Sequence, residues 1–137
     1  MKEKVYIKQH IAKPIEHVWD IYTNPKHVIH WNHASDDWHS PKATNDLKIG
    51  GRFSYRMEAK DGSFGFDFEG TYVSVIEHKL IAYTMDDQRF VKIEFNETNG
   101  ETTIDISFDA ENENDIELQR QGWQAILDNF KNYAESL

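Results

Sequence analysis

Residues 114–137 read NDIELQRQGWQAILDNFKNYAESL, and their periodicity decides the fold. Ile116, Trp123, Ile126, Leu127, Phe130, Tyr133, Ala134 and Leu137 recur at steps of three and four. That spacing draws one apolar stripe along a helix, with Arg120, Asp128, Lys131 and Glu135 elsewhere around it. Asn114 is the expected N-cap, with Glu117 three residues on to complete a capping box. At about 1.5 Å per residue such a helix runs roughly 30 Å, the width of a small domain. A stripe that long needs a broad apolar partner, and the rest of the chain offers one only as a sheet. A ligand often fits between a curved sheet and a single helix, so the architecture leans toward binding.

The preceding residues supply that sheet. Val5, Ile7, Gln9 and Ile11 alternate with Tyr6, Lys8 and His10 as a strand. Pro14 suits a first helical turn, and Ile15, Val18, Trp19 and Tyr22 mark a short amphipathic helix. Thr23-Asn24-Pro25 ends it, and a second short helix is expected over 26–31. Residues 32–48 lose all periodicity, which predicts an irregular crossover with at most one short strand. After Gly50-Gly51, Phe53, Tyr55 and Met57 alternate with polar residues, and Asp61-Gly62 signals a hairpin. Phe64, Phe66, Phe68 and Tyr72 share one parity of a long strand, with Gly70 between them, where a bulge would reverse the parity further along. Further strands cover 80–85, 91–95 and 104–108, with Asn99-Gly100 as a tight turn. Short connections throughout favour an antiparallel meander over parallel crossovers. The expected class is α+β, one domain over residues 1–137, a curved antiparallel sheet wrapped around the long C-terminal helix.

Composition narrows the partners. The chain has 137 residues, 39% of them hydrophobic and 13% aromatic, enough for a single folded core. A formal net charge of −9 repels phosphate-rich partners, so neither nucleic acid nor membrane insertion is expected. With no cysteine, disulfides, thiolate chemistry and cysteine zinc sites are excluded. The first residues carry no signal-peptide core, and a cytoplasmic protein is the expectation.

The order of these elements, with certain local motifs, resembles a known family. The motifs are Pro14-Ile15-Glu16-His17-Val18-Trp19, Thr23-Asn24-Pro25, Trp31, Gly50-Gly51-Arg52-Phe53, Phe68-Glu69-Gly70-Thr71-Tyr72, and Gly122-Trp123 with Leu127. Together they resemble the START-like, helix-grip superfamily, and within it the heat-shock protein 90 ATPase activator-like family of bacterial single-domain proteins. The resemblance implies the helix-grip fold, a cavity for a hydrophobic ligand, and a possible chaperone partner. It implies no metal and no cofactor. In the eukaryotic activators a separate domain contacts the chaperone, and a chain of this length has no room for one.

Within that frame the aromatic residues carry the site. Trp31, Trp38, Tyr55, Phe66, Phe68, Tyr72, Tyr83, Trp123, Leu127 and Phe130 are expected to line a cavity, with Trp31 and Trp38 gating its mouth. Trp19 is expected in the core. His27, His30, His33 and His39 invite a metal reading, but a continuous helix spreads the first three over about 120°. A solvated loop near the cavity mouth is the expectation for them. Alternation puts Asp67, Glu69, Arg52 and Arg56 on the outer face, so no catalytic carboxylate pair is expected. Gly122 inside the helix calls for a close neighbour or else shapes the cavity beside Trp123. The sum is a non-catalytic binder of a lipid-like or polyketide-like small molecule. Chaperone contact is the alternative, and cyclase- or hydrolase-like chemistry in the same cavity comes third.

Overall fold

The structure, a computed structural model, describes residues 3–137. It opens with strand β1 (Lys4–Ile11), followed by helices α1 (Ile15–Thr23) and α2 (Pro25–Trp31). Six strands follow: β2 (Trp38–Asn45), β3 (Arg52–Ala59), β4 (Gly65–Ile76), β5 (Leu80–Met85), β6 (Phe90–Thr98) and β7 (Glu101–Asp109). Helix α3 (Ile116–Glu135) closes the chain. The strands form one curled antiparallel sheet of seven in the order β1-β7-β6-β5-β4-β3-β2, and the class is α+β as the sequence implied.

Alternation accounts for the core. Val5, Ile7 and Ile11 on β1 and Ile104, Ile106 and Phe108 on β7 are buried on one face, and Tyr6, Lys8, Asp105 and Ser107 alternate with them on the other. Trp19 lies in the core as expected, edge-on to Phe95 at 5.0 Å. The β6–β7 turn has Asn99 and Gly100 both at positive φ, 54° and 77°, the left-handed pair that matches strand twist.

Four local expectations change. The stretch expected to be irregular contains β2, which at eight residues is as long as β1 and β3. Its pattern is hidden because it is an edge strand, and Pro41 falls where the register shifts between His39 and Lys42. A residue without an N–H is tolerated at such a position. Helix α3 takes Asp115 as its N-cap, not Asn114, and no side chain caps it. The Asn114 amide is instead engaged by Glu111. Gln119 ties the turn from within, accepting from the Glu111 N–H at 2.9 Å and donating to the Asn114 carbonyl at 2.8 Å. The bulge in β4 lies between Tyr72 and Ser74, not at Gly70. Gly70 is there for another reason: a Cβ would stand 2.7 Å from the Phe53 ring. Finally, a Cβ on Gly122 would meet nothing within 4 Å, so no close neighbour explains that glycine.

Helix α3 also seals one sheet edge. Arg120 donates to the Tyr6 carbonyl at 2.7 Å, Gln124 to Lys8 at 3.1 Å and Lys131 to His10 at 2.5 Å. These alternate carbonyls lie on the side of β1 away from β7. An edge strand whose acceptors are taken is a poor template for another chain.

Candidate functional site

A cavity of about 490 Å³ lies between the sheet and α3. Its wall on the sheet side is built by β3, β4 and β5. Phe53, Tyr55 and Met57 alternate inward on β3, Phe66, Phe68 and Tyr72 on β4, and Ile81 and Tyr83 on β5. Phe53 is the hub, with Tyr83 edge-on at 4.7 Å and Tyr55 at 5.0 Å. On the opposite side stand Trp123, Ile126 and Leu127 of α3, and Tyr22, Trp31 and Asn32 close the inner end. Trp123 stacks on Phe108 at 4.0 Å and meets Phe68 edge-on at 5.9 Å.

The backbone fixes Tyr72 in place. Gly50 donates to its carbonyl at 2.8 Å, and its own N–H donates to the Gly51 carbonyl at 2.9 Å. Gly51 cannot be replaced without movement, since a Cβ would fall 2.1 Å from the Asp46 carbonyl oxygen. The Tyr72 hydroxyl donates to Asn45 Oδ1 at 2.6 Å, and Asn45 Nδ2 donates to the Thr23 carbonyl at 2.8 Å. The residues that looked like fold-shaping glycines thus also set a side chain of the cavity.

Four tyrosines face this space. Burial pushes the hydroxyls of Tyr22, Tyr55, Tyr72 and Tyr83 above the ordinary value of 10.0, and it is the largest cause for each. Neighbouring tyrosines raise Tyr55 further, while a hydrogen bond with Tyr55 partly offsets the rise at Tyr72. All four remain neutral hydroxyls at physiological pH.

Charge gathers at the rim. Asp67 and Glu69 border the cavity, yet their carboxylates are engaged by Arg56 at 3.4 Å and Arg52 at 3.3 Å. The second contact of Arg52 is Asp86 at 3.1 Å, and Arg89 holds Asp87 at 2.7 Å. The outward parity expected for Asp67 and Glu69 agrees with these pairs. Asn32 and its neighbour His33 each carry a buried nitrogen, Nδ2 and Nδ1, without a hydrogen-bond partner among the described residues. Asn32 is 5% exposed and lines the cavity.

Of the ten residues assigned to the cavity from sequence, the fold brings eight together there: Trp31, Tyr55, Phe66, Phe68, Tyr72, Tyr83, Trp123 and Leu127. Two lie elsewhere. Phe130 is fully buried behind the cavity, packed on Trp31 at 5.0 Å and Tyr22 at 5.2 Å. Trp38 sits beyond it at the sheet edge, against Phe64 and Phe66 at 6.1 and 6.2 Å. Neither tryptophan is placed to gate the mouth. The Trp31 indole donates to the Ile21 carbonyl at 2.9 Å and its ring is wedged against Tyr22, so it is held as core.

Sequence reading missed Phe53 and Met57, which share the parity of Tyr55, and Tyr22, which lies on the stripe of α1. Those signals were readable. Asn32 had none, being a lone polar residue past the end of α2. The histidines are not a solvated loop. His27 meets the Tyr133 hydroxyl at 2.8 Å, His30 stacks on the Tyr133 ring at 5.6 Å, and Asn129 donates to His33 Nε2 at 3.1 Å. His39 instead faces Glu58 at 3.6 Å. Among the described residues no group of three or more His, Asp or Glu side chains is arranged to hold a metal ion. Nor, among those residues, is any helix long and apolar enough to cross a membrane.

The architecture recurs in solved structures. An AHSA1-like protein from Aeromonas hydrophila is 44% identical, with a TM-score of 0.92 over 98% of this chain and 93% of its own. Chr148 from Cytophaga hutchinsonii is 47% identical, with a TM-score of 0.84 over 97% and 92%. NE0264 from Nitrosomonas europaea shares the fold at 18% identity, with a TM-score of 0.82 over 97% and 94%. No curated protein matches the sequence at a significant level. The family model described as Activator of Hsp90 ATPase homolog 1-like protein matches residues 12–135, and the chain belongs to that family, within the START-like helix-grip fold.

Proposed function

We propose that this protein binds an apolar or amphipathic small molecule, lipid-like or polyketide-like, between its sheet and α3, and performs no chemistry on it. One observation supports the reading above all others: a cavity of about 490 Å³ faced by aromatic rings and neutral hydroxyls. Pockets for small molecules commonly measure roughly 300–1,000 Å³ and are mostly apolar with a few placed polar groups. Acid–base catalysis asks for an ionisable group inside the site with a pKa brought toward neutrality. Here the inner ionisable groups are tyrosines displaced away from neutrality. Four of the rim carboxylates, those of Asp67, Glu69, Asp86 and Asp87, sit in ion pairs. Binding is therefore favoured over cyclase- or hydrolase-like activity.

The test is a two-dimensional NMR titration of the labelled protein against fatty acids, sterols, flavonoids and other polyketide-like aromatics. The expected result is a set of shifts confined to β3–β5 around Tyr55, Phe68, Tyr72 and Tyr83 and to the Trp123–Leu127 face of α3. Absence of shifts across the panel would sink the reading.

A second reading, contact with a chaperone, draws on the family's description and on one surface feature. Phe64 is 61% exposed beside Trp38 and Phe66 at the end of the β3–β4 hairpin. A stoichiometric complex with heat-shock protein 90, abolished by Phe64→Ser, would move the function to that surface.

A further inference from the structure

Four tyrosines border the cavity, and their hydroxyl protons are not equally committed. The Tyr72 hydroxyl donates to Asn45 Oδ1 at 2.6 Å, and Asn45 Nδ2 donates to the Thr23 carbonyl at 2.8 Å. Tyr55 shares a hydrogen bond with Tyr72. Because the Tyr72 proton goes to Asn45, Tyr55 is the donor in that bond, and both protons are spent. The hydroxyls of Tyr22 and Tyr83 hydrogen-bond to no described residue. A tyrosine hydroxyl held away from bulk water ordinarily finds a partner.

Access decides whether a ligand can be that partner. Asn32 Nδ2 and His33 Nδ1, also unpartnered, are sealed inside the packing and beyond a ligand's reach. The Tyr22 and Tyr83 hydroxyls are not sealed, and each keeps accessible surface. Tyr83 stands on β5, 5% exposed, with the rings of Phe53, Tyr72 and Phe68 at 4.7, 6.2 and 6.3 Å. Tyr22 is partly buried on α1, with Trp31, Phe130 and Phe95 at 5.1, 5.2 and 5.6 Å. Those rings close the sides, so the surface left to each tyrosine opens into the cavity that both line. The hydroxyls also stand within electrostatic reach of one another. After burial, the larger cause, Tyr22 and Tyr72 raise Tyr83, and Tyr72, Tyr22 and Tyr83 raise Tyr55.

Two open donors in one cavity suit an acceptor, and the surrounding charge limits its kind. The lining includes one basic residue, Arg89, against five acidic ones: Asp67, Glu69, Asp86, Asp87 and Glu111. The Arg89 guanidinium is paired with Asp87. Burying an uncompensated anion among them is far more costly than burying a neutral polar group. A neutral carbonyl oxygen needs no counter-ion, and its two lone pairs can accept from two hydroxyls.

We infer that the ligand of this cavity is an uncharged, mainly apolar molecule whose carbonyl oxygen accepts from the Tyr22 and Tyr83 hydroxyls together. The inference rests on the binding reading above and narrows its ligand class. Tyr22 and Tyr83 set specificity by offering their protons, while Tyr55 and Tyr72 hold the wall in place.

Two probes of one shape test it, acetylnaphthalene and ethylnaphthalene, titrated into the labelled full chain and into its Tyr22→Phe, Tyr83→Phe and Tyr55→Phe variants. The readout is the preference for the ketone over the hydrocarbon. Desolvation of the ketone is common to all four proteins, so a change in that preference reads the hydrogen bonds. Tyr22→Phe and Tyr83→Phe should each lower it about tenfold, the value of one hydrogen bond. Tyr55→Phe should leave it unchanged, because that proton is already spent. Both Tyr22→Phe and Tyr83→Phe should melt no lower than the wild type, since each deletes a hydroxyl without a protein partner. An unchanged preference in either of those two variants, or an equal loss in Tyr55→Phe, overturns the inference and leaves the binding reading standing. A measurement on the wild type needs no variant to fold. The infrared carbonyl stretch of bound acetylnaphthalene should lie below its position in dry hydrocarbon, and an unshifted band overturns the inference too. If neither probe and no member of the wider panel binds, both readings fall together.

Discussion

The C-terminal half of α3 presses Phe130 and Ala134 into fully buried positions against α1 and α2, while the N-terminal half carries Trp123 and Ile126 along an open cavity. Both halves present the same apolar stripe to the same domain. The difference is what lies opposite. At the C-terminal end, Tyr22 and Trp31 come forward from the short helices and close on Phe130, and Tyr133 is clasped by His27 and His30. At the other end the helix faces only the curled sheet, and the space between Trp123, Ile126 and strands β3 to β5 is the cavity. Leu127 sits at the junction, 2% exposed and still touching the cavity. The lesson is that an amphipathic stripe announces burial but not what it is buried against. Filling comes from side chains on other elements.

Removing a large side chain from each half should separate them. Phe130→Ala is expected to cost about 3–5 kcal/mol, as for other fully buried aromatic truncations. Trp123 is only partly buried, and its principal contact is the stack on Phe108. Trp123→Ala should therefore cost less, about 2 kcal/mol, while weakening ligand binding. Denaturant unfolding of both variants reads the difference, and equal losses would break the comparison.

Enlargement should show the reverse asymmetry. Ala134 has no exposed surface, so Ala134→Leu overfills the closed end at a cost of about 1–3 kcal/mol. Ile126→Phe grows into the cavity instead. Its stability should stay within about 1 kcal/mol of wild type, while affinity for any cavity ligand drops. If the two enlargements proved equally destabilising, the open half would be as tightly filled as the closed one.

This division explains how much could be read in advance. The stripe of α3, the alternation of β3 to β7 and the glycine turns are local patterns, and each produced the element expected of it. The sheet-side cavity residues followed, because parity on a strand fixes the face. What could not be read depends on contacts distant in sequence. Phe130 lies on the same stripe as Trp123, and only the arrival of Tyr22 and Trp31 makes one core and the other cavity wall. Strand β2 was obscured because an edge strand with a proline at its bulge needs little alternation. Asn32 belongs to no pattern, being a lone polar residue past the end of α2, and only the folded chain brings it to the cavity.

A smaller effect is expected at Gly122, within the open half. A glycine inside a helix is less favourable than alanine by up to about 1 kcal/mol, and a Cβ here meets nothing within 4 Å. Gly122→Ala should thus stabilise the protein by about 0.5–1 kcal/mol. A loss of stability on thermal unfolding would mean that the open half of α3 contacts something at this position after all.

The smallest effect concerns His33, which follows α2 beside the junction between the halves. Asn129 of α3 donates both to the Trp31 carbonyl and to His33 Nε2, so the ring accepts there and carries its proton on Nδ1. Burial holds His33 below its ordinary 6.5, with Lys60 and His39 acting in the same direction and Asp36 opposing them. The folded state thus prefers the neutral ring, whereas the unfolded chain takes up a proton near 6.5. The stability this contributes is complete above that value and is lost as pH falls from it through the depressed folded value. His33→Gln keeps a side-chain acceptor for Asn129 but does not titrate. Denaturation midpoints measured between about pH 8 and 5 should therefore fall less steeply in the variant than in the wild type. Parallel profiles would show that His33 takes up its proton alike in the folded and unfolded chains, so that its contact with Asn129 contributes nothing to the pH dependence.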